Sequence, residues 1–184
     1  MNAPHLRTPS SPPPPSPEPD FLGMAISLAV QNVHENGGPF GTIVVLEDGL
    51  LVPGSNRVTT SNDPTAHAEI TAIRAAGARS NSFDLTGGVL YTSCAPCPMC
   101  LTAAMWARLD AVVYAARPED AAAAGFDDAE FYRQVATVTG SPLYPQPLTF
   151  NHVAPMRVTH SLHIDRLAPF EAWNSLSSLE RVRY

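Results

Sequence analysis

The sequence predicts an α/β protein, folded as a three-layer α/β/α sandwich around a central mixed sheet of about five strands. Short apolar runs rich in β-branched residues alternate along the chain with segments of helical periodicity. Strands that alternate with helices are typical of layered α/β domains. At 184 residues the chain is long enough for one domain with a well-buried core.

Turn and capping signals separate the predicted elements. Asp20 and the pair Asp63-Pro64 are typical of helix starts, Gly37-Gly38-Pro39 ends the first helix, and Glu47-Asp48-Gly49 is a hairpin turn signal. The predicted elements are a helix 21–35, a hairpin 40–46 and 50–52, a helix 63–78, a strand 89–92, a helix 97–106, a strand 111–114, a helix 128–135, a strand 156–164 and a helix 169–179.

Residues 1–19 differ in composition from the rest of the chain. They contain eight prolines, with Pro12 to Pro15 consecutive. Such a segment is extended or disordered and has little to bury, so we interpret it as a solvated arm in preference to a partner-binding one. Residues 20–184 form the predicted catalytic domain.

Charge and cysteine content restrict the function. The net charge is −6, from 17 acidic residues against 11 basic ones, all arginine and scattered along the chain. This pattern lacks the basic footprint of nucleic-acid binders and favours a small-molecule substrate. No apolar run approaches the length of a membrane span, and the start of the chain lacks the pattern of a secretion signal, so a cytoplasmic location is expected. Three cysteines in one cluster indicate metal binding in such a compartment.

The most informative motif is His67-Ala68-Glu69, followed 25 residues later by Cys94-Ala95-Pro96-Cys97. A catalytic zinc keeps three protein ligands and leaves its fourth position to water. We therefore expect His67, Cys94 and Cys97 to bind zinc and Glu69 to move protons beside it. In residue types and order the motif resembles the signature of zinc deaminases.

A structural zinc site is the alternative interpretation of this cluster. Cys100 lies one helical turn beyond Cys97, so four protein ligands are geometrically possible and would leave no position for water. The protein would then be a zinc-stabilised binding protein without catalysis. Such a site has no use for the carboxylate of Glu69, and we expect Cys100 to be a thiol packed in the core.

Five stretches of the chain resemble the bacterial guanine deaminases, a branch of the cytidine deaminase superfamily. The resemblance runs from about residue 21 to the C-terminus. The stretches are residues 37–41 (GGPFG), 56–70 (NRVTTSNDPTAHAEI), 91–100 (YTSCAPCPMC), 124–128 (AGFDD) and 169–173 (PFEAW). The zinc motif is shared across the superfamily, whereas NDPTAHAE, GFDD and the terminal tyrosine point to guanine.

The resemblance implies a cytidine deaminase-like fold, one Zn²⁺ per subunit on the ligands named above, and a substrate pocket that includes Phe40, Asn56, Asp127 and Tyr184. Phe40, Asn56 and Asp127 also have structural interpretations. Phe40 could belong to the core, Asn56 could form an Asx turn, and either Asp127 or Asp128 is expected to cap the following helix.

The implied activity is hydrolytic deamination of a free purine base, guanine to xanthine plus ammonia. Guanosine and cytosine are alternative substrates because they use the same machinery, and the adenosine of a tRNA is disfavoured by the acidic charge. Ala95 stands where the guanine deaminases usually carry glutamate. This departure bears on the pocket, and so on the substrate, more than on zinc binding.

The resemblance also implies a homodimer that exchanges its C-terminal segments. Phe170, Trp173 and Leu176 form an apolar stripe that requires a partner surface, and residues 140–147 could act as the hinge. Tyr184 would then close the active site of the neighbouring subunit.

Overall fold

The computed structural model describes residues 19–139 and 156–177. The proposed arm up to residue 18, the proposed hinge 140–147 and Tyr184 lie outside the described residues. The elements are α1 Phe21–His34, β1 Gly41–Val45, β2 Leu51–Ser55, α2 Val58–Ser61, α3 Ala68–Ser80, β3 Val89–Cys94, α4 Pro98–Trp106, β4 Ala111–Ala116, α5 Pro118–Ala123, α6 Ala129–Thr139, β5 Arg157–His160 and α7 Ala168–Ser175.

The five strands form one mixed sheet in the order β2-β1-β3-β4-β5. Strand β1 runs antiparallel to both of its neighbours, whereas β3, β4 and β5 run parallel to one another. Pro53 is tolerated in β2 because this strand lies at the edge of the sheet. The predicted mixed sheet is therefore confirmed.

Helices cover both faces of the sheet and make the predicted three layers. Helix α1 packs on β1 and β3 and contacts α7. Helix α3 packs on β1 and β2 and contacts α4. Two glycines allow this close approach. A Cβ atom on Gly41 would lie 2.5 Å from the carbonyl oxygen of Ala25 in α1, and one on Gly54 would lie 2.4 Å from that of Ala68 in α3. Gly54 pairs with Thr42, so it faces away from the side that Gly41 faces.

Apolar side chains fill the space between the sheet and each helical layer. Val44, Val52, Leu90 and Val112 are fully buried on the α3 side. Leu22 and Ile26 of α1, together with Ala115, form a separate cluster on the other side. Burying a Val, Leu or Ile side chain contributes about 1.5–3 kcal/mol relative to exposing it, so these two clusters hold the three layers together.

The start of α3 differs from the sequence prediction. The carboxylate of Asp63 accepts hydrogen bonds from the backbone N–H and the hydroxyl of Thr65, at 2.8 Å and 2.7 Å. Because the Asp63 carboxylate is engaged in this turn, it does not cap the helix. The helix begins later, at Ala68, with His67 as its N-cap. The prediction that the helix starts at Asp63-Pro64 was wrong. The short helices α2 and α5 were not predicted.

None of the helices in the described ranges is long and apolar enough to cross a membrane.

Candidate active site

A cavity of about 620 Å³ opens at the edge of the sheet where β1 begins and β2 and β3 end. The chain places the predicted residues here because β1 runs opposite to its two neighbours, so its first residue lies beside their last ones. Its volume is within the range of small-molecule sites. The side chains that line it include the residues predicted from the sequence, which are Phe40, Asn56, His67, Glu69, Cys94, Cys97 and Asp127. Phe126 and Asp128 also line it.

Three possible metal donors meet at the ends of two helices. His67 is the N-cap of α3, Cys97 is the N-cap of α4, and Cys100 lies in the first turn of α4. The Nδ1 atom of His67 is 3.5 Å from the Sγ atom of Cys97, which is 3.6 Å from the Sγ atom of Cys100. All three donor atoms lie within 4.8 Å of one another.

These separations fit a tetrahedral zinc ion. With Zn–S bonds of about 2.3 Å and Zn–N bonds of about 2.0 Å, tetrahedral angles place an imidazole nitrogen about 3.5 Å from a thiolate and two thiolates about 3.8 Å apart. The donor set of one imidazole and two thiolates is also one that zinc prefers. Three donors leave a fourth position for water, as a catalytic site requires.

Cys94 does not belong to this group of donors. It ends strand β3, it is buried, and its Sγ atom contacts the backbone carbonyl of Arg117 at 3.8 Å. The expectation that Cys94 binds the metal and Cys100 is a core thiol does not agree with this geometry. A signal was available in the sequence, because the proline of the deaminase signature directly precedes the first cysteine of the pair, and Pro96 precedes Cys97.

Hydrogen bonds and burial within the donor group shift the pKa values of its three members in different directions. Hydrogen bonds with Cys100 and with His67 lower the pKa of the Cys97 thiol to about 4, although burial opposes the shift. The bond with Cys97, together with burial, raises the pKa of Cys100. Burial disfavours a charged His67, but the hydrogen bond and charge of Cys97 outweigh it and raise the pKa of His67. A metal ion held by these donors would therefore compete with protons on Cys100 and His67.

Glu69 lies beside the donors at the second position of α3. Its side chain is 6% exposed and lines the cavity. Burial, followed by the charge of Cys97, raises the pKa of its carboxyl group. The hydroxyl of Thr92 donates a hydrogen bond to Oε1 of Glu69 at 3.2 Å. No role for Thr92 was predicted from the sequence, where Thr92 and Ser93 are two hydroxyl residues in a largely buried strand.

Asn56 follows the end of β2 and is 1% exposed at the cavity wall. Its Oδ1 atom accepts a hydrogen bond from the backbone N–H of Val58 at 3.3 Å, which is the Asx-type contact predicted as an alternative role. The side chain of Asn32 in α1 donates to the backbone carbonyls of Gly38 and Asn56, at 2.8 Å and 2.9 Å. Asn32 therefore fixes the two loops that flank this part of the cavity.

Aromatic rings form a second wall. The ring of Phe40 packs edge-on against Phe126, with centroids 5.1 Å apart, and Phe170 lies behind it at 5.9 Å. Phe126 also packs on Trp173, at 5.3 Å. Phe170 and Trp173, two residues of the apolar stripe on α7, are thus buried against their own chain. They do not need another subunit to cover them.

The two aspartates before α6 have different environments. Asp127 is exposed and its Oδ1 atom accepts a hydrogen bond from the backbone N–H of Ala129 at 3.0 Å, so its carboxylate satisfies the first N–H group of α6. Asp128 is half-buried, and burial, followed by the charge of Cys97, raises the pKa of its carboxyl group. Both line the cavity, but Asp128 is the one whose carboxylate the helix cap does not use.

A hydrogen bond ties helix α6 to the turn before α4, which we call the metal-donor turn because it leads to the candidate donors Cys97 and Cys100. The hydroxyl of Tyr132 donates a hydrogen bond to the backbone carbonyl of Pro96 at 2.6 Å. Pro96 directly precedes Cys97, so this contact joins the segment that carries Asp128 to the segment that carries two of the metal donors.

Known proteins share this sequence and architecture. Residues 16–116 match the family model of the cytidine and deoxycytidylate deaminase zinc-binding region. The guanine deaminase of Bacillus subtilis is 44% identical over 162 residues, which cover 86% of this chain and 94% of that protein. Its X-ray structure matches this one with a TM-score of 0.61.

More distant matches include a protein with 8-azaguanine bound and a tRNA-specific adenosine deaminase. A solved structure of a variant of the protein NE0047 with 8-azaguanine bound is 32% identical, has a TM-score of 0.65, and matches over 84% of this chain and 83% of that one. The tRNA-specific adenosine deaminase of Buchnera aphidicola is 36% identical over 103 residues, 55% of this chain and 68% of that protein. The chain therefore belongs to the zinc-binding cytidine and deoxycytidylate deaminases and, within them, to the family of bacterial guanine deaminases.

Proposed function

We propose that this protein is a zinc-dependent guanine deaminase that hydrolyses guanine to xanthine and ammonia. The observation that carries the proposal is the position of Glu69, a buried carboxylate that lines the cavity together with His67 and Cys97, two of the three donors with zinc-like spacing. A structural zinc site would use four protein ligands and would not need such a base.

The ligands we propose are His67, Cys97 and Cys100. When bound there, zinc supplies the Lewis acidity that makes a water molecule nucleophilic near neutral pH. Two thiolates neutralise much of the charge of the ion, so a base beside the water is more necessary than at a site of three histidines. Glu69 is the base that the geometry offers.

The reaction forms a bond between C2 of guanine and the water oxygen and breaks the bond from C2 to the exocyclic amine. Glu69 accepts one proton as the water attacks C2 and delivers it to the adjacent ring nitrogen. It then carries the second water proton to the amine, which leaves as ammonia. The oxygen stays on C2 as a carbonyl of xanthine, so atoms and charges balance.

The walls of the cavity suit a purine. We assign Phe40 and Phe126 to contact with the base, because apolar rings at a cavity wall favour stacking or edge contacts with a planar heterocycle. Guanine presents N–H groups along one edge, and the carboxylate of Asp128 is an acceptor for them. The amide of Asn56 offers a second polar contact. Asp127, the residue expected from the sequence, is assigned to the cap.

A substrate panel tests the proposal. The purified protein is assayed for zinc content and for ammonia release from guanine, guanosine, cytosine, adenine and a tRNA. We expect one zinc per subunit and the highest kcat/KM with free guanine. Faster turnover of another compound would reassign the substrate, and a protein with full zinc that releases no ammonia from any of them would be a binding protein.

Replacing Glu69 with glutamine tests the mechanism. Glutamine keeps the shape of the side chain and its acceptor for Thr92, but it cannot carry a proton. We expect Glu69→Gln to keep its zinc and to lose about 10²–10⁴-fold in kcat, the usual contribution of general acid–base catalysis. Ammonia release near the rate of the unchanged enzyme would exclude Glu69 as the proton carrier.

We further propose that the enzyme is a cytoplasmic homodimer. Free thiols at the metal site favour a reducing compartment, which supports the first part. Support for the second part is the family resemblance of the C-terminal segment, whose last seven residues lie outside the described ranges.

A further inference from the structure

A line of buried hydroxyl groups ends on the catalytic carboxylate. The Oγ1 atom of Thr42 lies 3.0 Å from that of Thr92, which lies 3.2 Å from Oε1 of Glu69. Thr42, Thr92 and Glu69 are 0%, 1% and 6% exposed. An ionised carboxylate only accepts hydrogen bonds, so Thr92 donates to Glu69 and its remaining lone pair accepts from Thr42.

The strand pairing produces this line. Thr42 in β1 and Thr92 in β3 are direct partners, and paired residues on one face of a sheet bring their side chains together. Further along the same face the positions are apolar, as Val44 and Leu90 show. In β1 and β3, the polar pair on this face lies where the face reaches Glu69 of α3. Valine has the shape of threonine and packs well in strands, so the fold does not require hydroxyls here.

We propose that Thr92, oriented by Thr42, is a positioning residue for Glu69. Its hydrogen bond fixes the orientation of the carboxylate, which also hydrogen-bonds with Cys100, and so fixes the oxygen that exchanges protons with water and substrate. The terminal torsion of glutamate is otherwise broad, and a displacement of about 1 Å at a reacting group can cost about 100-fold in rate. The inference depends on the proposed function, since it assigns a supporting residue to the same reaction.

The test uses three variants of the zinc-loaded enzyme. Thr92→Val removes the hydroxyl and keeps the shape, and Thr42→Val removes the bond that orients it. A hydrogen bond to a charged group contributes about 1.5–3 kcal/mol, so we expect Thr92→Val to lower kcat about 10–100-fold. KM and zinc content should stay close to those of the unchanged enzyme. Thr42→Val should cause a smaller loss, and Thr92→Ser should restore most of the activity.

Ser93 provides a matched control in the same strand. It is 2% exposed, and its hydroxyl accepts a hydrogen bond from the backbone N–H of Gly41 at 3.2 Å, without contacting Glu69. Ser93→Ala therefore removes a buried hydrogen bond of similar kind. If Ser93→Ala lowers kcat as much as Thr92→Val does, the loss reflects general weakening of the sheet and the proposal is wrong.

A double variant separates positioning from structure. In the Glu69→Gln background the proton carrier is already lost, so Thr92→Val should cost little further rate. An equal loss in both backgrounds would overturn the proposal. If Thr92→Val does not fold or loses zinc, Thr92→Ser and Thr42→Val decide, and normal kcat in Thr42→Val together with low kcat in Thr92→Ser would contradict it. An unchanged enzyme that does not deaminate guanine would instead contradict the proposed function.

Discussion

At the scale of single residues, two overlapping Cys-x-x-Cys pairs share Cys97, and backbone setting distinguishes them. Cys94 still belongs to strand β3, whereas Cys100 lies one turn along α4 on the side of the metal donors. We expect Cys100→Ala to lose zinc affinity by more than the ~10–100-fold that loss of an outer-shell partner costs. Zinc per subunit after dialysis against a chelator measures this.

Cys94→Ala is the matched control, because it removes the other buried thiol that lies three residues from Cys97. It should keep one zinc per subunit and lose only thermal stability. Loss of zinc from Cys94→Ala, with retention in Cys100→Ala, would restore the ligand set first expected from the sequence.

The sequence predicted His67, Glu69 and Cys97 because spacing and residue type suffice to indicate zinc chemistry. Spacing did not separate Cys94 from Cys100, since both lie three residues from Cys97. The position of Pro96 and the end of β3 distinguish them. Spacing could not indicate the proposed role of Thr92, which depends on pairing with a strand 50 residues away.

At the scale of secondary-structure elements, helix α6 is held to the metal-donor turn by the Tyr132 hydroxyl. We expect Tyr132→Phe to keep its zinc and its kcat and to raise KM for guanine, because the segment that carries Asp128 is less firmly placed. A single net hydrogen bond of about 0.5–1.5 kcal/mol corresponds to about a 2–10-fold change. Steady-state kinetics with guanine measures the change.

Tyr114→Phe serves as the control for this prediction. Tyr114 lies in β4, where its ring contacts His160, and it does not line the cavity. A KM that rises equally in both variants, or that is unaffected in Tyr132→Phe, would show that the tether has no role in substrate binding.

Most elements followed from periodicity, but their order in the sheet did not. Local pattern identifies a strand, whereas the position of β1 between β2 and β3 depends on long-range pairing. The prediction that a helix starts at Asp63-Pro64 was wrong for a local reason. Asp63 and Thr65 satisfy each other in a turn, so a residue typical of caps was engaged elsewhere.

At the scale of the whole molecule, subunit exchange stays a prediction. We expect the enzyme to be a homodimer by light scattering, and we expect deletion of residues 181–184 to depress kcat far more than zinc content. In the proposed dimer the deletion removes Tyr184 from the mouth of the neighbouring active site.

Mixing two inactive proteins tests whether the tail acts between subunits. Glu69→Gln has an intact tail and no base, and the truncated chain has a base and no tail. In an exchanged dimer, the Glu69→Gln subunit supplies its tail to the truncated partner, so mixed dimers should recover activity. No recovery in dimers shown to be mixed would mean that each tail serves its own subunit.

Gly54 lies in an edge strand, outside the cavity lining, and packs closely against the start of α3, the segment that carries His67 and Glu69. A methyl group there would meet the backbone at Ala68, the residue between His67 and Glu69. The distance between the sheet and helix α3 at Gly54 thus determines how far the start of α3 lies from the sheet. In a scan of all substitutions, position 54 should be as intolerant as the metal ligands. Redesign of the pocket walls therefore requires that this distance between the sheet and α3 is kept.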